Sequence, residues 1–347
     1  MIDEDDLQAL GDSIAKVLEH DAGRELLHAH LDGRIALDRD LWAQASELGW
    51  LAIGLPEDCG GLGFGARGLD VLHRRLGARV APGPFAASQS AAQALVDAGG
   101  CGDWPERLAT GEAKLAVPAN ITDEPFAKHG WLLGDAHSDA ALVPLGPGEW
   151  GLMALAGASS IELWDRSRGL FTADHAAAAP LAVLDGEVVS SSLARHLCLA
   201  LASDSIGGAR AILEITVAYM KEREQFARPI ASFQALKHRV ADHMTDIVSG
   251  EEFLALAVAT VARGDPDADI WAKLAKARCT ASYLRIAEDC LQLHGGVGFT
   301  WEFDVHLYLN RARLSELLIA PNPQLKDEAA AGLAEALRAG REPLELA

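Results

Sequence analysis

Positive charge is scarce in this sequence. Lys and Arg number 30 against 50 Asp and Glu, a net charge of −20. That balance excludes nucleic acid and anionic membrane surfaces as partners, because both are gripped by clustered cations. Sulfur pairing is also missing. Cys59, Cys101, Cys198, Cys279 and Cys290 are scattered with no Cys-x-x-Cys spacing, which predicts neither a disulfide frame nor a zinc site but thiols in a reducing cytoplasm. No His-x-x-x-His or His-Glu-x-x-His pattern occurs among the 12 histidines, so no metal centre is expected. No apolar run approaches the ~20 residues of a spanning helix. The most apolar window, Val80 to Val96, is broken by two prolines, two serines and two glutamines. The opening MIDEDDLQAL is acidic and amphipathic, and predicts no secretory leader.

What is present is a 347-residue chain, half of it apolar, enough for two or three domains. Three textures divide it. Residues 1–112 read as helical: Leu7, Leu10, Ile14, Val17 and Leu18 form one apolar stripe, and a second helix runs from Leu37 to Leu48. The turn Gly60-Gly61-Leu62-Gly63 lacks the frame of a phosphate loop. Residues 113–189 carry short apolar runs at 115–117, 140–143, 151–155 and 181–184, separated by Gly, Pro and Asp, which predicts a small β domain. Residues 190–347 return to helical spacing. Helices are expected at 190–223, 233–262, 270–294 and 305–318, a bundle of four, followed by an alanine-rich tail.

Two segments stand out. The first runs from Arg223 through Gln225, Phe226, Pro229, Ile230 and Ser232 to Phe233. It reads as a helix end, a proline turn and a helix start with Ser232 as N-cap. A planar Arg fork there suits a diphosphate, and Phe226 and Phe233 suit an aromatic base. The second, Gln292-Leu293-His294-Gly295-Gly296, closes a helix, with Gly295 in the place that favours left-handed geometry. Gly295 and Gly296 also let a ligand approach the backbone closely. Either segment alone reads as a solvated turn or a helix cap.

Together, about 65 residues apart, they resemble the acyl-CoA dehydrogenase family, as does the stretch from Leu48-Gly49-Trp50 to Gly63. The resemblance implies a mainly α fold with a small β domain. Its parts are an N-terminal helical domain, a middle β domain and a C-terminal four-helix bundle. It implies FAD shared across a dimer interface, with Arg223 and Gln225 addressing the pyrophosphate of a neighbour's cofactor. Phe226, Ile230 and Phe233 would line the adenosine end, and Gln292, Gly295 and Gly296 would close it. An acyl-CoA substrate and electron-transfer flavoprotein as acceptor are implied as well.

The other half of the family pattern is missing. Where members carry Thr-Glu-Pro running on to Gly-Ser-Asp and Trp-Ile-Thr, this chain has Thr122-Asp123-Glu124-Pro125 and neither later run. The base that removes the α proton contributes roughly 10²–10⁴-fold. In the family it stands at one of two positions, which here fall on Ile319 in Leu318-Ile319-Ala320-Pro321 and on Leu197-Cys198. Neither leucine nor isoleucine takes a proton, so no catalytic residue is assigned. Glu316 and Glu302 are the candidates for a relocated base; the plain reading of each is a surface or ion-paired glutamate. The pattern resembles the shorter, base-lacking subunit of actinobacterial α2β2 dehydrogenases acting on steroid side-chain CoA esters. A self-sufficient homotetramer with a relocated base, and a scaffold or acyl-CoA-binding protein without flavin, stand as alternatives.

Overall fold

The structure, a computed structural model, describes residues 3–99, 102–122, 124–126, 130–174, 179–300 and 303–342. Glu302, Cys101 and part of the Thr-Asp-Glu-Pro segment lie outside the described residues.

Six helices come first: α1 (Glu4–Asp21), α2 (Arg24–Leu31), α3 (Leu37–Glu47), α4 (Gly65–Ala78), α5 (Phe85–Asp97) and α6 (Trp104–Ala109). Asp3 and Asp6 form a reciprocal capping box that starts α1, and its stripe buries Leu7, Ile14 and Leu18. The glycine turn after α3 spends its amides internally: Gly61 N donates to Pro56 O at 2.9 Å and Gly63 N to Leu55 O at 2.9 Å.

A seven-stranded sheet follows, in the order β5-β6-β2-β1-β3-β4-β7. Its strands are β1 (Leu115–Pro118), β2 (Leu132–Leu133), β3 (Ala140–Gly146), β4 (Glu149–Ala154), β5 (Ala156–Ser160), β6 (Leu170–Asp174) and β7 (Ala182–Asp185). Among the strand pairings of the described residues, only β1–β3 is parallel. The apolar runs mark four of these strands. The other three carry weaker signals: β2 is two residues long and β5, Ala-Gly-Ala-Ser-Ser, is exposed throughout.

The second helical block contains α7 (Gly186–Glu222), α8 (Gln234–Ala262), α9 (Ala268–His294), α10 (Val305–Leu317) and α11 (Asn322–Arg338). The hairpin β8 (Glu224–Gln225) and β9 (Arg228–Pro229) lies between α7 and α8. Three expectations change. The long helix α7 starts at Gly186, ahead of the predicted 190, because the Asp185 carboxylate accepts from Glu187 N and Val188 N. Ser232 caps nothing: it sits in a 3-10 turn, and Phe233 holds the N-cap position without a side-chain bond. The alanine-rich tail is a fifth helix, buried through Leu325, Ala329 and Ala336.

The blocks are tied at their centre. Helices α4 and α7 cross so closely that a Cβ on Gly77 would lie 2.0 Å from Asp204 O, and one on Gly207 2.0 Å from Arg74 O. Beside this crossing Asp204, 2% exposed, receives Arg168 Nη2 at 2.7 Å and Arg311 Nε at 3.0 Å. Burial pushes the Asp204 carboxyl up, yet the two guanidinium groups hold it below the ordinary carboxylate range. Burial also brings neighbouring His73 down to about 4, so it is neutral in the fold. No described helix is long and apolar enough to cross a membrane.

Candidate functional site

The two sequence segments meet. Ile230 packs with Met220 and Leu293 in a small separate core, with Tyr219, Phe233 and Leu236 around it. The turn after α7 and the end of α9 thus share one exposed corner.

Its backbone is unusual. Arg223 N donates to Tyr219 O at 2.8 Å and Ile230 N to Arg223 O at 2.8 Å, closing the hairpin base. The two residues between β8 and β9, Phe226 (φ 54°) and Ala227 (φ 59°), are both left-handed. A two-residue turn of this hand favours Asn-Gly, and a non-glycine residue there costs of order 1–3 kcal/mol. The arrangement holds Phe226 out at 88% exposure. Its ring stands edge-on to Phe233 at 6.1 Å, and the Arg228 guanidinium lies 4.0 Å over the Phe233 ring. Arg223 is exposed and forms no ion pair among the described residues. Gln225 is exposed and donates only to the neighbouring Glu224 O.

Across the corner, Gln292, Gly295 and Gly296 are exposed. Gly295 adopts φ 63° and ψ −147°. This is a glycine-only region rather than the left-handed helical cap that the sequence suggested. A Cβ at Gly295 or Gly296 would meet nothing within 4 Å, so the open space lies on the solvent side. The platform beneath is rigid: Tyr219 stacks on His294 at 4.3 Å and 17°, and the Tyr219 hydroxyl donates to His294 O at 3.4 Å. Burial holds His294 below its ordinary value. Exposed guanidinium groups, an edge-on aromatic pair and a bare glycine backbone make a cradle suited to a diphosphate-linked aromatic nucleotide.

Of the two stretches in which the resemblance expects a base, Cys198 and Ile319 come together elsewhere, while Leu197 is in the core and does not line the cleft. Cys198 from α7 and Ile319 from the segment after α10 line one cleft of about 680 Å³, with Ile121, Thr122, Trp150 and Ala320. Leu197 and Cys198 are fully buried and Ile319 is 4% exposed; burial pushes the Cys198 thiol up to about 12. Three carboxylates reach the rim. Asp269 is paired with Arg195 and accepts from Ser191 Oγ, while Glu328 accepts from Lys273 Nζ at 2.8 Å. Burial pushes Glu328 up, but the hydrogen bonds from Lys273 and Gln324 and the Lys273 charge together hold it below the ordinary glutamate range. Glu187 belongs to the first turn of α7. Glu316 does not line the cleft; its carboxylate accepts from Asn322 Nδ2 at 3.3 Å. A smaller void between α4, α5 and α7 holds about 10 Å³ beside His196, Ala200 and Ser203, the space of one water at most.

Arg228, Tyr219 and His294 were not singled out by sequence, although Arg228 stands inside the first segment. Lys276 was also missed, and its signal was present: it falls in register with buried Ala272, Ala275 and Cys279 on α9.

The profile "Acyl-CoA dehydrogenase, N-terminal domain" matches residues 4–100, and "Acyl-CoA dehydrogenase, C-terminal domain" matches residues 186–318. The chain belongs to the acyl-CoA dehydrogenase family, whose members are FAD flavoproteins. It is 29% identical over 324 residues to acyl-CoA dehydrogenase IpdE2 of Mycolicibacterium smegmatis, covering 90% of this chain and 94% of that one. Among solved structures it resembles the ChsE4–ChsE5 complex from Mycobacterium tuberculosis (TM-score 0.83, 25% identity, 96% of this chain and 98% of that chain). It also resembles the Tcur3481–Tcur3483 steroid acyl-CoA dehydrogenase G363A variant (TM-score 0.80, 26% identity, 96% and 98%).

Proposed function

We propose that this chain is the base-lacking subunit of an α2β2 acyl-CoA dehydrogenase, and that it completes an unlike subunit's FAD site in trans. One contrast carries the reading. The corner is built and open, whereas both positions at which the resemblance expects the base are buried and apolar, at Leu197 and Ile319. The residues present fit the cofactor. Arg223 and Gln225 would hold the pyrophosphate, Phe226, Ile230 and Phe233 the adenosine, and Gln292, Gly295 and Gly296 would close over it. The chemistry that bound FAD would supply is acceptance of the hydride leaving the β carbon of the acyl thioester. This chain's own residues bind and orient; they move no proton. The void of about 10 Å³ next to α7 residues 196–203 leaves no room for an acyl group there.

Two paired-subunit structures among the neighbours support an unlike partner, and a steroid-acting neighbour supports a bulky steroid side-chain CoA ester as substrate. Electron-transfer flavoprotein is the acceptor that the family resemblance supplies. The free, buried thiols of Cys198, Cys279 and Cys290 fit a cytoplasmic location.

Expression of the chain alone and with its copurifying subunit, followed by an absorbance spectrum and a flavin count, tests the reading. The expected result is colourless protein alone and one FAD per unlike pair in the complex. Yellow, active protein from this chain by itself would refute it.

A further inference from the structure

Lys276 is fully buried on α9, yet no carboxylate stands within ion-pair distance among the described residues. An unpaired buried charge is expensive unless hydrogen bonds take up its protons. Here all three are used. Nζ donates to Glu316 O at 2.8 Å, Ala320 O at 3.0 Å and Asn322 Oδ1 at 3.0 Å. The first acceptor lies in the last turn of α10, where the helix end carries partial negative charge and favours a cation. Asn322, 3% exposed, is locked in turn: its Nδ2 donates to Thr280 Oγ1 at 3.0 Å and to Glu316 Oε1 at 3.3 Å.

The three acceptors of the ammonium belong to one short segment, residues 316–322. Within it Ile319 has φ 74°, a conformation in which a β-branched residue is a genuine outlier. That geometry persists because its backbone is bonded on both sides. Ile319 N donates to Ala119 O at 2.7 Å, and Ile121 N donates to Ile319 O at 3.1 Å, a parallel bridge between the end of α10 and the residues after β1. The bridge joins the sheet domain to the helical block, and its residues Ile121 and Ile319, with the adjoining Ala320, are also cleft wall.

We propose that Lys276 is a positioning residue. Its ammonium pins residues 316–322 as a strap that fastens the sheet domain to the helical block and fixes the cleft wall at the family's base position. The strap stores the strain at Ile319, and the pin prevents its release. The groups facing the ammonium are the Cys198 thiol from α7 and Glu316 from α10, with Asn322 and Thr280 beside them.

The test is hydrogen exchange on the full-length protein, read in overlapping peptides covering 119–122 and 316–322 and, as reference, the interior of α7 around Leu201. Lys276→Met is expected to speed exchange at the Ile121 and Ile319 amides at least tenfold, with the α7 reference within twofold. Asn322→Ala, which removes one acceptor and keeps the lysine, is expected to speed the same two amides by a smaller factor. Exchange accelerated evenly across the chain would reduce Lys276 to an ordinary core residue and overturn the proposal. So would unchanged protection of Ile121 and Ile319 in Asn322→Ala, a result that stands even if Lys276→Met fails to fold. Neither readout involves flavin, so the outcome is independent of the trans-site reading.

Discussion

The corner and the cleft use the same device for opposite ends. Each holds non-glycine residues in left-handed backbone: Phe226 and Ala227 at the corner, Ile319 at the cleft. At the corner the strain pushes an aromatic ring into solvent, and the neighbouring Arg223, Gln225 and Gln292 are left unengaged or locally bonded. At the cleft the strain serves the chain itself. Ile319 is buried and both its backbone groups are bonded, with a lysine beneath it. Unspent hydrogen-bonding groups beside a strained turn are what an external ligand requires; spent ones indicate an internal fastening.

The comparison breaks most severely at Lys276. Lys276→Met takes the shared donor from the backbone carbonyls of Glu316 and Ala320 and from Asn322 Oδ1, which keeps only Thr280 Oγ1, and is expected to destabilise the chain by about 3 kcal/mol in urea unfolding, with the flavin count of the complex unchanged. Loss of flavin in this variant would mean that the two regions are not separate. The same pair of proteins gives a pH test. Burial, the larger influence, opposed by Cys198 and Glu316, brings Lys276 down to about 8 from 10.5. The folded state therefore releases this proton before the unfolded state does. Wild type gains stability relative to Lys276→Met as pH rises from 8 to 10.5, by at most about 3 kcal/mol. Taking the difference cancels the buried thiols of Cys279 and Cys290, which act in the other direction. A deficit constant across that window would show that the lysine keeps its proton.

At the corner, Arg223→Ala is expected to weaken FAD binding in the complex tenfold to a hundredfold, about 1.4–2.8 kcal/mol, read by flavin fluorescence on titration. The urea midpoint should stay in place, because the side chain makes no ion pair among the described residues. The smallest effect expected is at the turn. Phe226→Asn suits the left-handed backbone and should stabilise the chain by up to ~1 kcal/mol. It should also loosen the cofactor by removing the exposed ring. A stabilised variant with unaltered flavin affinity would remove Phe226 from the site.

Much of this was legible in sequence, for definite reasons. The long helices show through their apolar spacing, and the two segments that meet at the corner through residue types that a bare turn does not need. Contact between Ile230 and Leu293 was not legible, because 62 residues of helix and turn intervene and only packing brings them together. The start of α7 depended on a single carboxylate, Asp185, which sequence reads as strand end or helix cap alike. Helix α11 hid because small alanines bury without forming a visible stripe. The left-handed pair Phe226-Ala227 is unreadable in principle, since the residues that normally announce such a turn are absent.

Helix α7 connects the two regions, with Cys198 in the cleft and Arg223 just past its last turn. Twenty-five residues separate them, roughly 37 Å of continuous helix. Midway, the mutual glycine contact with α4 at Gly207 and Gly77 denies the rod any room to bend or slide. The helix therefore acts as a ruler: residue count alone sets how far one subunit's clasp stands from its own sealed cleft. Removing a single residue between them would swing the clasp about 100° around the helix axis, a larger displacement than any side-chain substitution at the corner could produce.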